Sequence, residues 1–214
     1  MATDLDVVND CLAVMGEAPL NALAEDHTFK EAALGTLKRV SNTIQSRGWW
    51  YNMEDYTLRV NTQDLRIYLP TDAGTIMPFD ERPTLVQRGR VLYDLSRGSD
   101  RFELTDTFVA RLVRVLAIAD VPNSVAAYIA RQTVLEFQQQ YDGDQTKTRN
   151  LMIEINGSPQ LGIIGLRTEA MNEHIRNRRV NLIDTSGRLA RITRVSRRFG
   201  GSRLSPSGQT DYGA

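Results

Sequence analysis

Apolar positions near the start of the chain recur at helical spacing and then stop. Leu5, Val8, Leu12 and Met15 lie three and four residues apart, on one face of a helix, and Gly16-Glu17-Ala18-Pro19 ends the run. A second stripe, Phe29, Ala33, Leu37, Val40 and Ile44, is longer. Thr28 and Glu31 stand before it in the T-x-x-E relation of a capping box, with Asp26 as a competing cap. The chain then leaves through Gly48 and sets Trp49, Trp50 and Tyr51 in a row. Glycine takes the left-handed conformation that ends helices, and consecutive bulky rings suit a pleated strand that points neighbours to opposite faces. The stretch therefore reads as a joint between a helical part and a β part.

From Trp49 to about Ala119 the period shortens. Tyr56–Val60 and Leu65–Leu69 cluster β-formers, and turn-rich groups at 70–74, 80–83, 87–90 and 96–100 punctuate them. Residues 86–93 predict a hairpin around Arg88-Gly89-Arg90. Residues 107–120 admit a helix through Val109, Leu112, Val113 and Leu116, or a strand through Leu112, Arg114 and Leu116; the β-branched content favours the strand. Pro122 opens a third helix, capped by Asp120, with Ala126, Ile129, Thr133, Phe137 and Tyr141 inside. Residues 148–155 are a further helical stretch. Ser158-Pro159 predicts the start of a last long helix whose inner stripe is Leu161, Ile164, Thr168, Met171 and Ile175. No apolar period continues beyond Val180.

The order predicts an α+β fold: a helical bundle formed by N- and C-terminal helices, an inserted β domain and an extended basic C-terminal arm. The expected boundaries are 1–48 and 122–181 for the bundle, 49–121 for the β domain and 182–214 for the arm. Neither helical half carries enough apolar faces to make a core alone.

Composition adds exclusions. At 41% hydrophobic and 24% charged residues, the 214-residue chain matches an ordinary globular protein. No apolar run reaches the ~18 residues of a membrane span, and the acidic start lacks the layout of a secretory signal. A cytosolic site of assembly fits. Cys11 is the one cysteine, which excludes an internal disulfide framework and a Cys-rich zinc site. Net charge is zero but uneven: residues 1–175 hold 17 basic and 24 acidic side chains, whereas Arg176–Arg203 holds nine arginines and one acid. An acidic body with a basic end is suited to meeting another acidic body, or an anion.

Catalytic chemistry is poorly supported. The two histidines, His27 and His174, read as surface residues, and neither has the serine elbow or ligand spacing that catalysis or a metal requires. Residues 142–148 contain Gly143 and a Lys-Thr pair but lack the second glycine of a phosphate loop. With 26 acids some carboxylate pair always lies close enough for glycoside hydrolysis, so a cell-envelope polysaccharide or peptidoglycan hydrolase is the enzyme-class alternative. Arg188, Arg191, Arg194 and Arg197 recur every three residues and Arg198 follows. Their guanidinium forks suit carboxylates and phosphates alike. Few aromatics accompany them, and a DNA channel must let its cargo slide, so docking on an acidic protein surface is favoured over DNA contact.

Three segments, Val8–Leu20, Ile44–Asp55 and Val86–Phe102, together with Asn156–Leu161, resemble the tail tubular protein A family, the head-to-tail adaptors (gatekeepers) of short-tailed podoviral phages. The resemblance covers roughly Leu5 to Val180. It implies a non-enzymatic component of the virion tail without cofactor or metal, assembled in the host cytoplasm. It further implies a ring of twelve copies between the capsid portal and a nozzle protein (tail tubular protein B). Tail fibres attach nearby in that family, and genome DNA passes through the ring during ejection. On this basis Arg188, Arg191, Arg194, Arg197 and Arg198 are expected to dock on the portal or a neighbouring subunit. Gly48, Trp49 and Trp50 are expected to fix the angle between bundle and β domain. The arm here is longer and richer in arginine than the family leads one to expect.

Overall fold

Thr3 begins the first helix through a reciprocal cap: its hydroxyl accepts the Asp6 N–H while the Asp6 carboxylate accepts the Thr3 N–H. In the computed structural model, which describes residues 2–71, 73–78 and 84–177, helix α1 spans Asp4–Met15 and ends at left-handed Gly16 (φ 79°). Helix α2 spans Lys30–Gln45 and carries its expected stripe inward, with Ala33, Leu37, Val40 and Ile44 buried. Its expected capping box does not form. Phe29 occupies the cap position without a side-chain cap bond, and His27 Nδ1 accepts the Phe29 N–H at 3.2 Å. The Phe29 ring packs on Phe137 and Tyr141, so apolar contact sets where the helix starts and leaves Thr28 one residue too early.

Helix α3 (Asn123–Tyr141) is the central helix. Pro122, not Asp120, stands at its cap position; Asp120 instead ends a single 3₁₀ turn, Ile118–Asp120. Asp144 caps α4 (Gln145–Asn156) by accepting the Thr146 and Lys147 N–H groups. Helix α5 spans Leu166–Asn177. One apolar cluster joins all five: Val8 and Leu12, Leu37 and Ile44, Ile129 and Phe137, Leu151 and Ile155, and Ala170. The helices before and after the sheet thus share one bundle core, as the sequence argument required.

The β part has its own cluster, built on Leu58, Ile67, Leu69, Leu92, Phe102, Phe108 and Leu112. Strands β1 (Met53–Arg59), β2 (Ala73–Pro78) and β5 (Thr107–Arg114) form an antiparallel sheet in the order β1-β5-β2. β5 resolves the ambiguity of residues 107–120 as a strand: Phe108, Ala110 and Leu112 alternate inward, and its register runs from Met53↔Val113 to Arg59↔Thr107. Strands β3 (Leu85–Arg88) and β4 (Val91–Asp94) make the expected hairpin, turning at Gly89 (φ 62°). Leu65–Leu69 does not form a strand. Leu65 takes a left-handed φ of 61°, and the segment meets the hairpin through the Tyr68↔Val91 bridge and flanking backbone bonds to Arg90 and Leu92.

The last long helix is also broken. Gly157-Ser158 (β6) pairs with Ile163-Ile164 (β7) around a 3₁₀ turn at Pro159–Leu161, and α5 begins only at Leu166. Gly157 (φ 81°) and Gly165 explain the break. A Cβ on Gly157 would lie 2.6 Å from the Ile163 carbonyl oxygen, and one on Gly165 would lie 2.2 Å from the Gly157 nitrogen. Two backbones meet there where no side chain fits. The fold is α+β, a helical bundle carrying small antiparallel sheets. The compact unit Met1–Asn177 contains all of these elements; residues 178–214, with the expected arm, lie outside the described residues.

Candidate functional site

The chain passes from bundle to sheet between Gln45 and Met53, and the structure corrects the expected shape of that passage. Residues 49–52 are a turn closed by Asn52 N–H donating to the Trp49 carbonyl at 3.3 Å; the strand starts at Met53. The three rings therefore do not alternate across a pleat. Trp49 is buried in the bundle cluster at 3% exposure, and Trp50 and Tyr51 pack against the same cluster. Consecutive edge-on contacts link Trp49 to Trp50 (6.2 Å) and Trp50 to Tyr51 (5.3 Å). Gly48, at φ 78°, supplies the left-handed step that admits the turn.

Polar groups tie this turn to its surroundings. Trp49 Nε1 donates to the Ile44 carbonyl at 2.8 Å, which anchors the indole to the end of α2. Asn52, 1% exposed, makes three side-chain bonds. Its Oδ1 accepts the Trp49 N–H at 2.8 Å, and its Nδ2 donates to Gln45 O at 3.1 Å and Arg114 O at 2.7 Å. Gln45, fully buried, answers from α2: Nε2 donates to Leu116 O at 2.9 Å and Oε1 accepts the Leu116 N–H at 3.0 Å. This pair of amides binds the end of α2, the aromatic turn and the exit of β5 into one unit. A buried network with its partners satisfied fixes direction as well as proximity.

A histidine completes the cluster. His174 on α5 is buried, against the surface position expected of it. Its Nδ1 accepts the Trp50 N–H at 3.2 Å, and its ring lies 5.4 Å from Trp49 and 6.0 Å from Trp50. Its neighbour Glu173 accepts the Ser124 hydroxyl hydrogen bond, which ties α5 to the start of α3. His27 is half-buried at the start of α2, 3.8 Å from Glu17. Sequence reasoning singled out Gly48, Trp49 and Trp50 but missed Gln45, Asn52 and His174. Isolated polar residues near element ends resemble surface residues until the partner segments are known.

Electrostatics at the surrounding positions is structural in character. Across the sheet Arg111 Nε pairs with Asp55 at 2.8 Å and Arg114 Nε with Glu54 at 2.7 Å, the cross-strand pairing of opposite charges. The Arg111 bond holds the Asp55 carboxyl below the usual carboxylate range. Burial pushes the Cys11 thiol up to about 12, with Asp10 adding to it, so that sulfur is an inert core group. Burial also raises Tyr51, whose hydroxyl is enclosed without a hydrogen-bond partner among the described residues. Among the described residues no group of three His, Cys, Asp or Glu side chains is arranged to hold a metal ion, and no helix is long and apolar enough to cross a membrane. Arg188, Arg191, Arg194, Arg197 and Arg198 lie outside the described residues.

No curated protein matches the chain. The family model of tail tubular proteins matches residues 5–152, which takes in α1, α2, the aromatic turn, the whole sheet, α3 and most of α4. With more than half of its length matched, the chain belongs to the tail tubular protein family, structural components of the phage virion tail.

Proposed function

We propose that this tail component is the head-to-tail adaptor of a short-tailed phage. Copies close into a ring, by resemblance of twelve, that joins the capsid portal to the nozzle protein and helps gate passage of the genome. In this reading residues 1–48 and 122–181 act as the portal-side bundle, 49–121 as the β module facing nozzle or fibres, and 182–214 as a docking arm. Arg188, Arg191, Arg194, Arg197 and Arg198 engage acidic groups of the portal or of a neighbouring subunit. Gly48, Trp49 and Trp50 hold the angle between bundle and sheet.

The observation that carries the reading, beside family membership, is the amide clamp of Gln45 and Asn52. A ring closes only when every subunit presents its two contact surfaces at the same angle, because a heterologous contact with the wrong rotation gives an open spiral. Directional bonds at the passage between two modules supply that constancy. Nothing among the described residues points to envelope hydrolysis. The test is the mass of the purified full chain, alone and mixed with portal, by native mass spectrometry and analytical ultracentrifugation. A closed oligomer that binds portal is expected; a monomer without affinity for portal or nozzle overturns the reading.

A further inference from the structure

Helix α5 is turned the opposite way from the apolar stripe in its sequence. Ala170 and His174 are buried and Leu166 half-buried, so at 100° per residue Met171 and Ile175 point to solvent. Thr168 and Asn172, both exposed, complete an outer face without charge. The hairpin before the helix continues the pattern. Exposure is 65% at Leu161, 43% at Ile163, 65% at Ile164, 43% at Met171 and 60% at Ile175. A single exposed leucine needs no explanation, but five large apolar side chains within one short stretch mark a surface made to be covered. The segment carrying them is sharply shaped, since the contact of Gly157 with Gly165 fixes the hairpin against the helix start.

Residues 178–214 contain a complementary pattern. Arg188-Leu189-Ala190, Arg191-Ile192-Thr193 and Arg194-Val195-Ser196 repeat an arginine, an aliphatic and a small residue three times, and Arg197-Arg198 follow. The triplets combine apolar groups for the stripe with cations for its surroundings. Charge points the same way: residues 2–177 hold 18 basic and 24 acidic side chains, residues 178–214 eight basic and two acidic. The flanks of the outer face carry exposed Arg167 on one side and exposed Arg176 and Glu169 on the other, so the complementarity lies in the acidic excess of the body as a whole. Length permits reach beyond one's own helix. The ten residues 178–187 span up to about 35 Å when extended, whereas the 12 residues of α5 cover about 18 Å.

We propose that the outer face of α5 and the 161–164 hairpin of one copy receives residues 188–198 of a second copy. The aliphatic residues of the triplets cover Leu161, Ile164, Met171 and Ile175, and the arginines extend past the stripe toward Glu169 and the acidic excess of the body. The idea rests on the adaptor reading, which supplies the adjacent copy, and it names the acceptor surface that reading leaves open.

The test uses full-length protein. Ile175→Cys and Ile192→Cys are made in separate chains, mixed, allowed to assemble and mildly oxidised; native Cys11 is buried and stays silent. The expected product has twice the chain mass and contains, by peptide mapping, a disulfide between the two substituted positions. In parallel, Met171→Asp with Ile175→Asp is expected to weaken self-association at least tenfold with an unchanged far-ultraviolet spectrum. Both positions are already solvent-facing, so folding should survive. Three results overturn the proposal. One is a disulfide that forms within a third variant carrying both Ile175→Cys and Ile192→Cys but not between the two single-cysteine chains, which assigns the segment to its own chain. Another is ring assembly without any mixed disulfide, which leaves the adaptor reading standing. The third is absence of self-association in the unsubstituted protein, which removes the adaptor reading as well.

Discussion

Replacing Asn52 by alanine is the sharpest test of the passage between bundle and sheet. The change leaves the Trp49 N–H, buried beside the indole, without its acceptor at 2.8 Å. An orphaned buried donor costs about 1–3 kcal/mol. The Gln45 and Arg114 carbonyls each lose a donor, but Gln45 O keeps the Gly48 N–H at 3.1 Å, so those losses fall nearer the ~0.5–1.5 kcal/mol of an ordinary bond. Together the substitution should destabilise by about 2–6 kcal/mol, a large share of the ~5–15 kcal/mol typical of a domain. The thermal midpoint should fall by about 4–24 °C, at about 2–4 °C per kcal/mol for a chain of this size.

Asn52→Asp separates hydrogen bonding from packing, because it keeps the shape. Its first oxygen can still accept from Trp49, but the second would face the two carbonyls that now receive the amide N–H groups. At neutral pH the aspartate should therefore be at least as damaging as alanine. The assay is urea unfolding followed by tryptophan fluorescence, since Trp49 and Trp50 sit at the passage, with circular dichroism as a second probe. If Asn52→Ala costs under about 1 kcal/mol, or Asn52→Asp is clearly the milder change, the clamp is ordinary packing and the argument fails.

Gly165→Ala should be far worse than a surface glycine substitution, because the new Cβ would meet backbone and not a movable side chain. Loss of more than about 3 kcal/mol, or detachment of α5 seen as rapid amide exchange over residues 166–177, is the expected result. Trp49→Phe keeps most of the apolar area but deletes the Nε1 bond to Ile44 O, and should cost about 1–2 kcal/mol by urea melt. Asp94 accepts from the Ser96 N–H and hydroxyl, and those bonds hold its carboxyl below the ordinary range. A depressed carboxylate stabilises the fold fully above its unfolded value of about 4 and loses that contribution as pH falls through the folded value. Asp94→Asn should thus be about 1 kcal/mol less stable than the parent at pH 7, with the difference closing as pH falls below the unfolded value and through the depressed folded one. Cys11 should resist a thiol reagent at pH 8 in native protein and react at once in denaturant; rapid native labelling would refute its placement in the core.

Much of the framework was legible because periodicity reports which residues share a face. The stripes of α1, α2 and α3 gave element type correctly, and so did the β-branched content of residues 107–120, although the strand ends at Arg114 and its inward residues are Phe108, Ala110 and Leu112, not the Leu112, Arg114 and Leu116 that suggested it. Capping was less legible: Thr28 and Glu31 match a local motif, but the Phe29 ring finds Phe137 and Tyr141, far along the sequence, and shifts the start. The rings at 49–51 matched strand propensity, yet Asn52 accepts the Trp49 N–H and closes a turn that propensity does not encode. The joint's other members were hidden for the same reason, since the partners of Gln45 lie seventy-one residues away at Leu116. The error at α5 is different in kind. Spacing correctly put Met171 and Ile175 on one side of a helix, but periodicity does not say whether that side meets this chain's core. The clue was in Gly162 and Gly165, which weaken a helix interior and, with Gly157, permit the tight hairpin after which α5 starts afresh with its small residue, Ala170, inward.

These two departures belong together. An apolar core holds modules near one another but tolerates sliding, because apolar contact has no preferred direction. The bundle and sheet have separate apolar clusters, so their own packing does not dictate the angle between them. The amides of Gln45 and Asn52 do, through bonds that survive only in one geometry. The surface of α5, by contrast, keeps large apolar side chains exposed and buries a histidine and an alanine. A chain selected only for its own stability would gain by reversing that arrangement, at about 25 cal/mol for each Å² of apolar surface covered. Under the proposed adaptor role, rigidity inside the subunit and apolar surface left on its outside are the two properties that a ring-forming copy needs.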